Sequence, residues 1–302
     1  MIDAGPDHAK LAEALARLTA ASERLLGLAS AGAPPLALDA QRIHDAALRL
    51  RALIAAGEQD RHELHTPLNH ILGYSDLLLE AAPEPPAALV TELEHVRAAA
   101  LESLALIRSG ATPATGEGGG PLPRPAAAGD GGCFLVVDDD PLNRDVLERH
   151  LRRRGHQVVT AEHGRHALEL LAAARVDVIL LDLRMPEMDG LETLKRLKAD
   201  PALGTIPVLV MSALDELDTA ARCIEAGAED YVHKPFNPVL LDARLSAYLG
   251  RKRFRDREVL ALQNRVFQRV RALQEQNAAL ERALAAIEQA LGELRRSGEA
   301  AR

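Results

Sequence analysis

The chain reads as an α/β domain, a doubly wound, flavodoxin-like sheet of five parallel strands, joined to all-α segments. Three observations predict this. Between residues 133 and 249, short apolar runs alternate five times with amphipathic helical stretches. Ala and Leu dominate elsewhere and aromatics are only 2%, which favours long helices over a β-sandwich. Polar residues close several of the apolar runs, at the strand ends where parallel sheets hold ligands.

The alternation predicts strands at 133–138, 157–160, 177–182, 206–211 and 230–233, with helices at 142–154, 164–174, 189–199, 215–226 and 237–249. Residues 133–250 are thus one domain. Ahead of it, 1–35 contains an amphipathic helix at 7–30, ended by Gly32 and Pro34-Pro35. Long helices are predicted at 38–81 and 87–109, and the short Pro-rich turn between them implies an antiparallel hairpin over 38–109. Such a hairpin would form a four-helix bundle on dimerisation. Residues 110–132 are a flexible linker, because 12 of the 23 are Gly or Pro and too little of it is apolar to fold.

Residues 251–302 read as a coiled-coil helix. Leu273, Asn277, Leu280, Leu284, Ile287, Leu291 and Leu294 follow steps of four and three. Asn277 falls at an a position, which favours a parallel homodimer. The four-step from Val266 to Val270 reads as a stutter.

With 302 residues the chain has room for about two ordinary domains, and 47% apolar content suffices for a core. The net charge of −8 argues against a general nucleic-acid binder. The basic run Arg251-Lys-Arg-Phe-Arg-Asp-Arg257 before the heptads is short and reads as a solvated face rather than a DNA-binding region. No signal peptide and no apolar run of membrane-spanning length appears, so a cytoplasmic protein off the membrane is expected. Cys133 and Cys223 form no metal pattern and read as buried apolar residues in a reducing compartment.

The first strand stops on Asp138, Asp139 and Asp140, and the third on Asp182. Acids delivered to one end of the sheet repel unless a cation intervenes, and Mg²⁺ suits carboxylate oxygens. A carboxylate held there can become an aspartyl phosphate. Ser212 and Lys234 end two further strands at the same edge and offer donors to the new charge. This stretch resembles the receiver domain of two-component response regulators, on the pair Asp138-Asp139, the run Leu181-Asp-Leu-Arg-Met-Pro186, Ser212 and Lys234-Pro235. The resemblance implies phosphorylation of Asp182. It implies Mg²⁺ held by Asp139, Asp182 and the backbone carbonyl of Arg184, with Asp138 helping. It further implies that Ser212 and Lys234 bind the phosphoryl group, that Tyr231 is the switch aromatic, and that the bond before Pro235 is cis.

In the first long helix, Leu64, Leu68, Ile71 and Leu78 mark an apolar face. His62 lies about 200° from Leu64 and should point to solvent, with Glu63 beside it and Thr66 one turn on. Pro67 removes the amide that would bond the Glu63 carbonyl. His65 and His70 are expected to be exposed and without a role. The run His62-Glu-Leu-His-Thr-Pro-Leu68 resembles the H-box of sensor histidine kinases, with His65 where that motif usually has Arg. The resemblance implies His62 as phosphoacceptor, Glu63 as its acid/base partner and Thr66 as a water-positioning residue.

No Asn-rich or Gly-rich ATP-binding segment follows the hairpin, so the chain is not expected to phosphorylate itself from ATP. These readings make it a phosphorelay protein in which Asp182 exchanges its phosphoryl group with His62 or is dephosphorylated with help from Thr66 of the H-box helix, served by a separate histidine kinase, response regulator or phosphotransfer protein. The alternatives are a phosphorylation-switched adaptor with a vestigial H-box, or a remnant of a hybrid sensor histidine kinase.

Overall fold

The computed structural model describes residues 6–30, 34–58, 60–81, 85–108, 131–213 and 217–300. Four helices come first: α1 (Pro6–Ala29), α2 (Pro34–Ala55), α3 (Arg61–Leu79) and α4 (Ala87–Arg108). The long helix expected at 38–81 is therefore two. Gly57 sits at φ +77, where a Cβ would be strained. Around it the Gly57 amide donates to Ile54 O and the Glu58 amide to Leu53 O, the paired bonds of a Schellman ending. Asp60 then caps α3 by accepting the His62 amide at 2.9 Å. The helix stops and restarts because both caps are present.

The four helices close into a ring. α1 packs on α2 and α4, and α3 packs on the same two. One core runs through them, with Leu18, Leu25, Ile43, Leu50, Leu68, Ile71, Leu77 and Leu93 essentially inaccessible. The bundle expected on dimerisation is thus assembled within one chain. α1 and α2 supply the apolar faces that a second hairpin would have brought.

The α/β domain follows the predicted rhythm: β1 (Cys133–Val137), α5 (Pro141–Arg153), β2 (Gln157–Ala161), α6 (Gly164–Ala173), β3 (Val178–Asp182), α7 (Gly190–Ala199), β4 (Val208–Ala213), α8 (Leu217–Glu225), β5 (Asp230–Lys234) and α9 (Pro238–Ala300). All strand pairs are parallel, in the order β2-β1-β3-β4-β5. Leu135, Val137, Ile179 and Leu181 face one core, while Phe134, Val136, Val178 and Leu180 face the other. Strands buried on both faces explain the unbroken apolar runs. The order reverses at β1, which sets the ends of β1 and β3 side by side beneath an open crevice.

α3 also packs on α5, so the bundle and the α/β domain form one compact unit through Leu249. Asp39, 3% exposed, takes two hydrogen bonds from Arg149, at 2.7 and 2.6 Å. Asp145 accepts from Arg42 at 2.7 Å and from the Tyr74 hydroxyl at 2.9 Å. Gly73 faces Val146 so closely that a Cβ there would lie 2.6 Å from its Cγ1. Twelve residues of α3 are buried, more than a one-sided helix can hide, because both the bundle and α5 cover it.

The second unit is the part of α9 from Gly250 onward. Its described apolar side chains, Val266, Val270, Leu273, Leu280 and Leu284 among them, are exposed. Val270 to Leu273 is a step of three, so the heptad runs in phase from Val266 and the stutter is withdrawn. No described helix is long and apolar enough to cross a membrane. Except for Gly131 and Gly132, the linker at 110–132 lies outside the described residues.

Candidate functional site

The site forms at the C-terminal edge of the sheet. β1 delivers Asp138, β3 ends on Asp182, β4 carries Ser212 and β5 ends on Lys234. All four side chains are buried, and Asp138 is wholly inaccessible. Burying charge is costly unless it is paired. Lys234 supplies the pairing, its Nζ 2.8 Å from Asp138 Oδ2 and 2.8 Å from Asp182 Oδ2. Asp138 Oδ1 accepts from the Asp140 amide at 3.0 Å and Asn143 Nδ2 at 3.3 Å. Gly190 crosses directly under the phosphoacceptor candidate, since a Cβ there would meet the Asp182 carbonyl oxygen at 2.2 Å. The Lys234–Pro235 bond is cis.

Two polar atoms remain without a hydrogen bond. Asp182 Oδ1 accepts from the Leu183 amide at 2.8 Å. Asp182 Oδ2 meets only the ammonium, out of hydrogen-bonding direction, and the buried Ser212 Oγ has no hydrogen-bond partner. Unsatisfied buried groups at a crevice mark a place for a ligand. Asp138, Asp139 and Asp182 each bring a carboxylate oxygen to within 4.8 Å of the others. Hard oxygen donors at this separation, one of them lacking a directed donor, fit a small divalent cation.

The electrostatics agree. Burial pushes the Asp182 carboxyl up to about 7, with Lys234 opposing and Asp138 and Asp139 adding to the rise. Burial, then Asp138, also raises Asp139. The two acids raise Lys234 despite its burial, so it stays charged. Tyr231 is half-buried, its ring edge-on to His233 with centroids 4.9 Å apart.

The histidine of the α3 run is not in solvent. His62 is half-buried, among the charges of the strand-end site. Its pKa is lowered, first by burial and then by Arg184 and Lys234, while Asp60 and Asp139 pull the other way. A depressed pKa keeps the imidazole neutral, the form that carries a free lone pair. The helical wheel placed His62 correctly away from the bundle core, but a second domain covers that side. The same docking corrects two further expectations. His65 and His70 are 1% and 2% exposed. His70 Nε2 lies 3.2 Å from Asp140 Oδ2. Burial works against the Asp140 carboxylate, but His70 and the amides of Leu142 and Asn143 hold it down at about 2.

The two companions of His62 are turned elsewhere. Glu63 Oε2 pairs with Arg49 Nη2 of α2 at 3.4 Å. Thr66 Oγ1 donates to the His62 carbonyl at 3.0 Å. A side-chain contact with no motif signal lies beside the site instead: Arg184 Nη2 donates to Asp60 Oδ1 at 2.9 Å. Asp60 was legible as an N-cap, from Gly57 three residues before it and Glu63 three residues after it. Its contact across the domains was not.

The matching family is the response regulator receiver domain, over residues 134–246. This segment is a response regulator receiver domain. It belongs to two-component signalling. The chain is 42% identical over 118 residues to the response regulator MprA of Mycolicibacterium vanbaalenii, covering 39% of this chain and 50% of that protein. It is 42% identical over 128 residues to the transcriptional activator protein PfeR of Pseudomonas aeruginosa, covering 42% of this chain and 41% of that one. The chain thus spans about half the length, or less, of these curated relatives. Among solved structures, a response regulator described from Chloroflexus aurantiacus is 33% identical, with a TM-score of 0.39 over 40% of this chain and 99% of that one. The receiver domain of a sensor histidine kinase from Pseudomonas aeruginosa is 30% identical, with a TM-score of 0.38 over 40% and 99%. That structure has a magnesium ion coordinated in its active-site cleft.

Proposed function

We propose that this chain is a phosphorelay protein in which Asp182 of the receiver accepts a phosphoryl group and exchanges it with His62 of the same chain. One observation carries the reading: Asp60 Oδ1 joins the amide of the half-buried His62 to Arg184 Nη2, two residues beyond Asp182, at 2.9 Å on each side.

The donor is a phosphorylated histidine protein or a small acyl phosphate. Asp182 attacks as the carboxylate and forms an O–P bond as the donor's N–P or acyl O–P bond breaks; the donor leaves with that electron pair, and Lys234 stays beside the new anion. The Ser212 hydroxyl, without a partner at rest, turns to a phosphoryl oxygen, and Tyr231 follows that movement. Asp139, Asp182 and the Arg184 carbonyl, with Asp138, would hold Mg²⁺, which neutralises charge on the phosphoryl oxygens when bound. For exchange, the unprotonated ring nitrogen of His62 forms an N–P bond as the acyl O–P bond breaks. The electron pair returns to the Asp182 carboxylate, and the other ring nitrogen keeps its proton. Proximity within one chain replaces an encounter between two proteins.

A second reading keeps the receiver chemistry but makes His62 silent and the chain a switched adaptor. The pairing of Glu63 with Arg49, away from the imidazole, favours it. Labelling separates the two. Asp182 is charged with a small acyl phosphate and Mg²⁺, and acid-labile, alkali-stable phosphate is then sought at His62 by mass spectrometry. Label at His62 that disappears in His62→Ala supports exchange. A labelled Asp182 with no label ever reaching His62 supports the adaptor.

The same proposal makes the protein a cytoplasmic parallel homodimer, joined by α9 alone. Asn277 faces its copy at an a position, and Leu262 (g) reaches Phe267 (e) of the second copy, a pairing that only the parallel, in-register arrangement makes. Both side chains are more than half exposed, at 57% and 65%.

A further inference from the structure

One carboxylate oxygen joins the start of α3 to the receiver. Asp60 Oδ1 accepts the His62 amide at 2.9 Å and, on the same atom, Arg184 Nη2 at 2.9 Å. Arg184 stands two residues beyond Asp182, on the loop that leaves β3. Two hydrogen bonds therefore link the backbone of one proposed phosphoacceptor to the loop bearing the other. The Asp60 amide in turn donates to Glu58 Oε1 at 2.8 Å, which fixes the turn from which α3 starts.

The bridge is too exposed to matter much for stability. The Asp60 and Arg184 side chains are 51% and 44% exposed, and ion pairs in such surroundings contribute little. Docking itself rests on the buried contacts of Asp39 with Arg149 and of Tyr74 with Asp145, farther along the seam. The first holds α2 against α5 and the second holds α3 against α5 near its middle, and both leave the first turn of α3 to be placed by something else. Asp60 is the described residue that both caps that turn and touches the receiver.

We propose that Asp60 is a positioning residue, which sets the first turn of α3 against the Arg184 loop so that His62 faces Asp182. This rests on the exchange reading above and names what controls its rate. The conservative substitution is Asp60→Asn. Asparagine caps a helix about as well as aspartate but cannot form the ion pair. A misplacement of about 1 Å can slow a positioned reaction by up to about a hundredfold, so a loss of a single exposed pair is expected to slow transfer by about tenfold.

The experiment uses the full chain. Asp182 is charged with a small acyl phosphate and Mg²⁺, and the rate at which label appears on His62 is followed in wild type and Asp60→Asn, at low and high salt. Transfer should be about tenfold slower in the variant. Wild-type transfer should also slow as salt screens the pair, while the variant's rate stays flat. Charging of Asp182 itself should be unchanged, which shows that the variant is folded. Equal transfer rates in the two proteins, or the same salt dependence in both, would overturn the inference while leaving exchange intact. Absence of label on wild-type His62 would overturn exchange and positioning together.

Discussion

The receiver site buries Asp138, Asp182 and Lys234 to 5% exposure or less, whereas α9 beyond Gly250 leaves Phe254, Phe267 and Leu280 at 65% or more. One region hides charge and the other displays apolar surface. Each departs from the usual distribution of residues, and each departure points to something that binds there. At the strand ends, Lys234 pairs with Asp138 and Asp182 and offsets part of their charge before any ligand arrives. Along α9 nothing within the described chain compensates in that way. The receiver can therefore stand ready alone, while in the proposed dimer a second copy covers the helix.

The comparison can be broken most directly at the receiver. Asp182→Asn is expected to abolish labelling by a small acyl phosphate, measured by intact mass; retained label would move the acceptor elsewhere. On the helix, Leu273→Glu with Leu280→Glu puts carboxylates into the seam. Sedimentation should then report monomer in place of dimer, with Asp182 labelling unchanged. A dimer that survives would return the contact to the bundle.

Smaller effects test the seam between bundle and receiver, which mixes both kinds of burial. Arg149→Ala leaves buried Asp39 with only Arg42, 3.5 Å away, and should cost about 2 to 3 kcal/mol in denaturant unfolding, below the roughly 3 to 5 kcal/mol of a fully broken buried pair because Arg42 remains and Arg149 is partly solvated. Gly73→Ala forces a methyl against Val146 and should cost about 1 to 2 kcal/mol. The smallest effect is a pH dependence. The Asp182 carboxyl is raised to about 7, so a proton competes with the cation below that pH. Mg²⁺ affinity by calorimetry should fall as pH drops from about 8 to about 6, by no more than about tenfold per unit. A flat profile would mean that Asp182 is ionised throughout.

The receiver was legible because its signals are local. Apolar runs buried on both faces lead to Asp138 and Asp182, a more exposed strand ends on Lys234, and parallel winding alone brings those ends together. The bundle was less legible because its decisive contacts are distant in sequence. A helical wheel for α3 shows one apolar stripe, and nothing in it says that the receiver will leave His62 half-buried or set His70 against Asp140 at the start of α5. Nor does periodicity reveal that Asp39 waits for Arg149, since both read as ordinary surface charges. The break at Gly57 to Asp60 was a different failure. Both caps stood in the sequence, but the continuous apolar pattern across them outweighed the cue.

The ring of α1 to α4 has a bearing on how much signal the molecule can store. Two identical hairpins would give a bundle with two equivalent histidine helices and a rotational axis between them. Here the helix diagonal to α3 is α1, whose only histidine is His8, in its first turn. On the proposed chemistry each chain then holds one imidazole and one carboxylate that trade a single load. Its state is set by the equilibrium between those two positions, and the proposed dimer would hold two such loads.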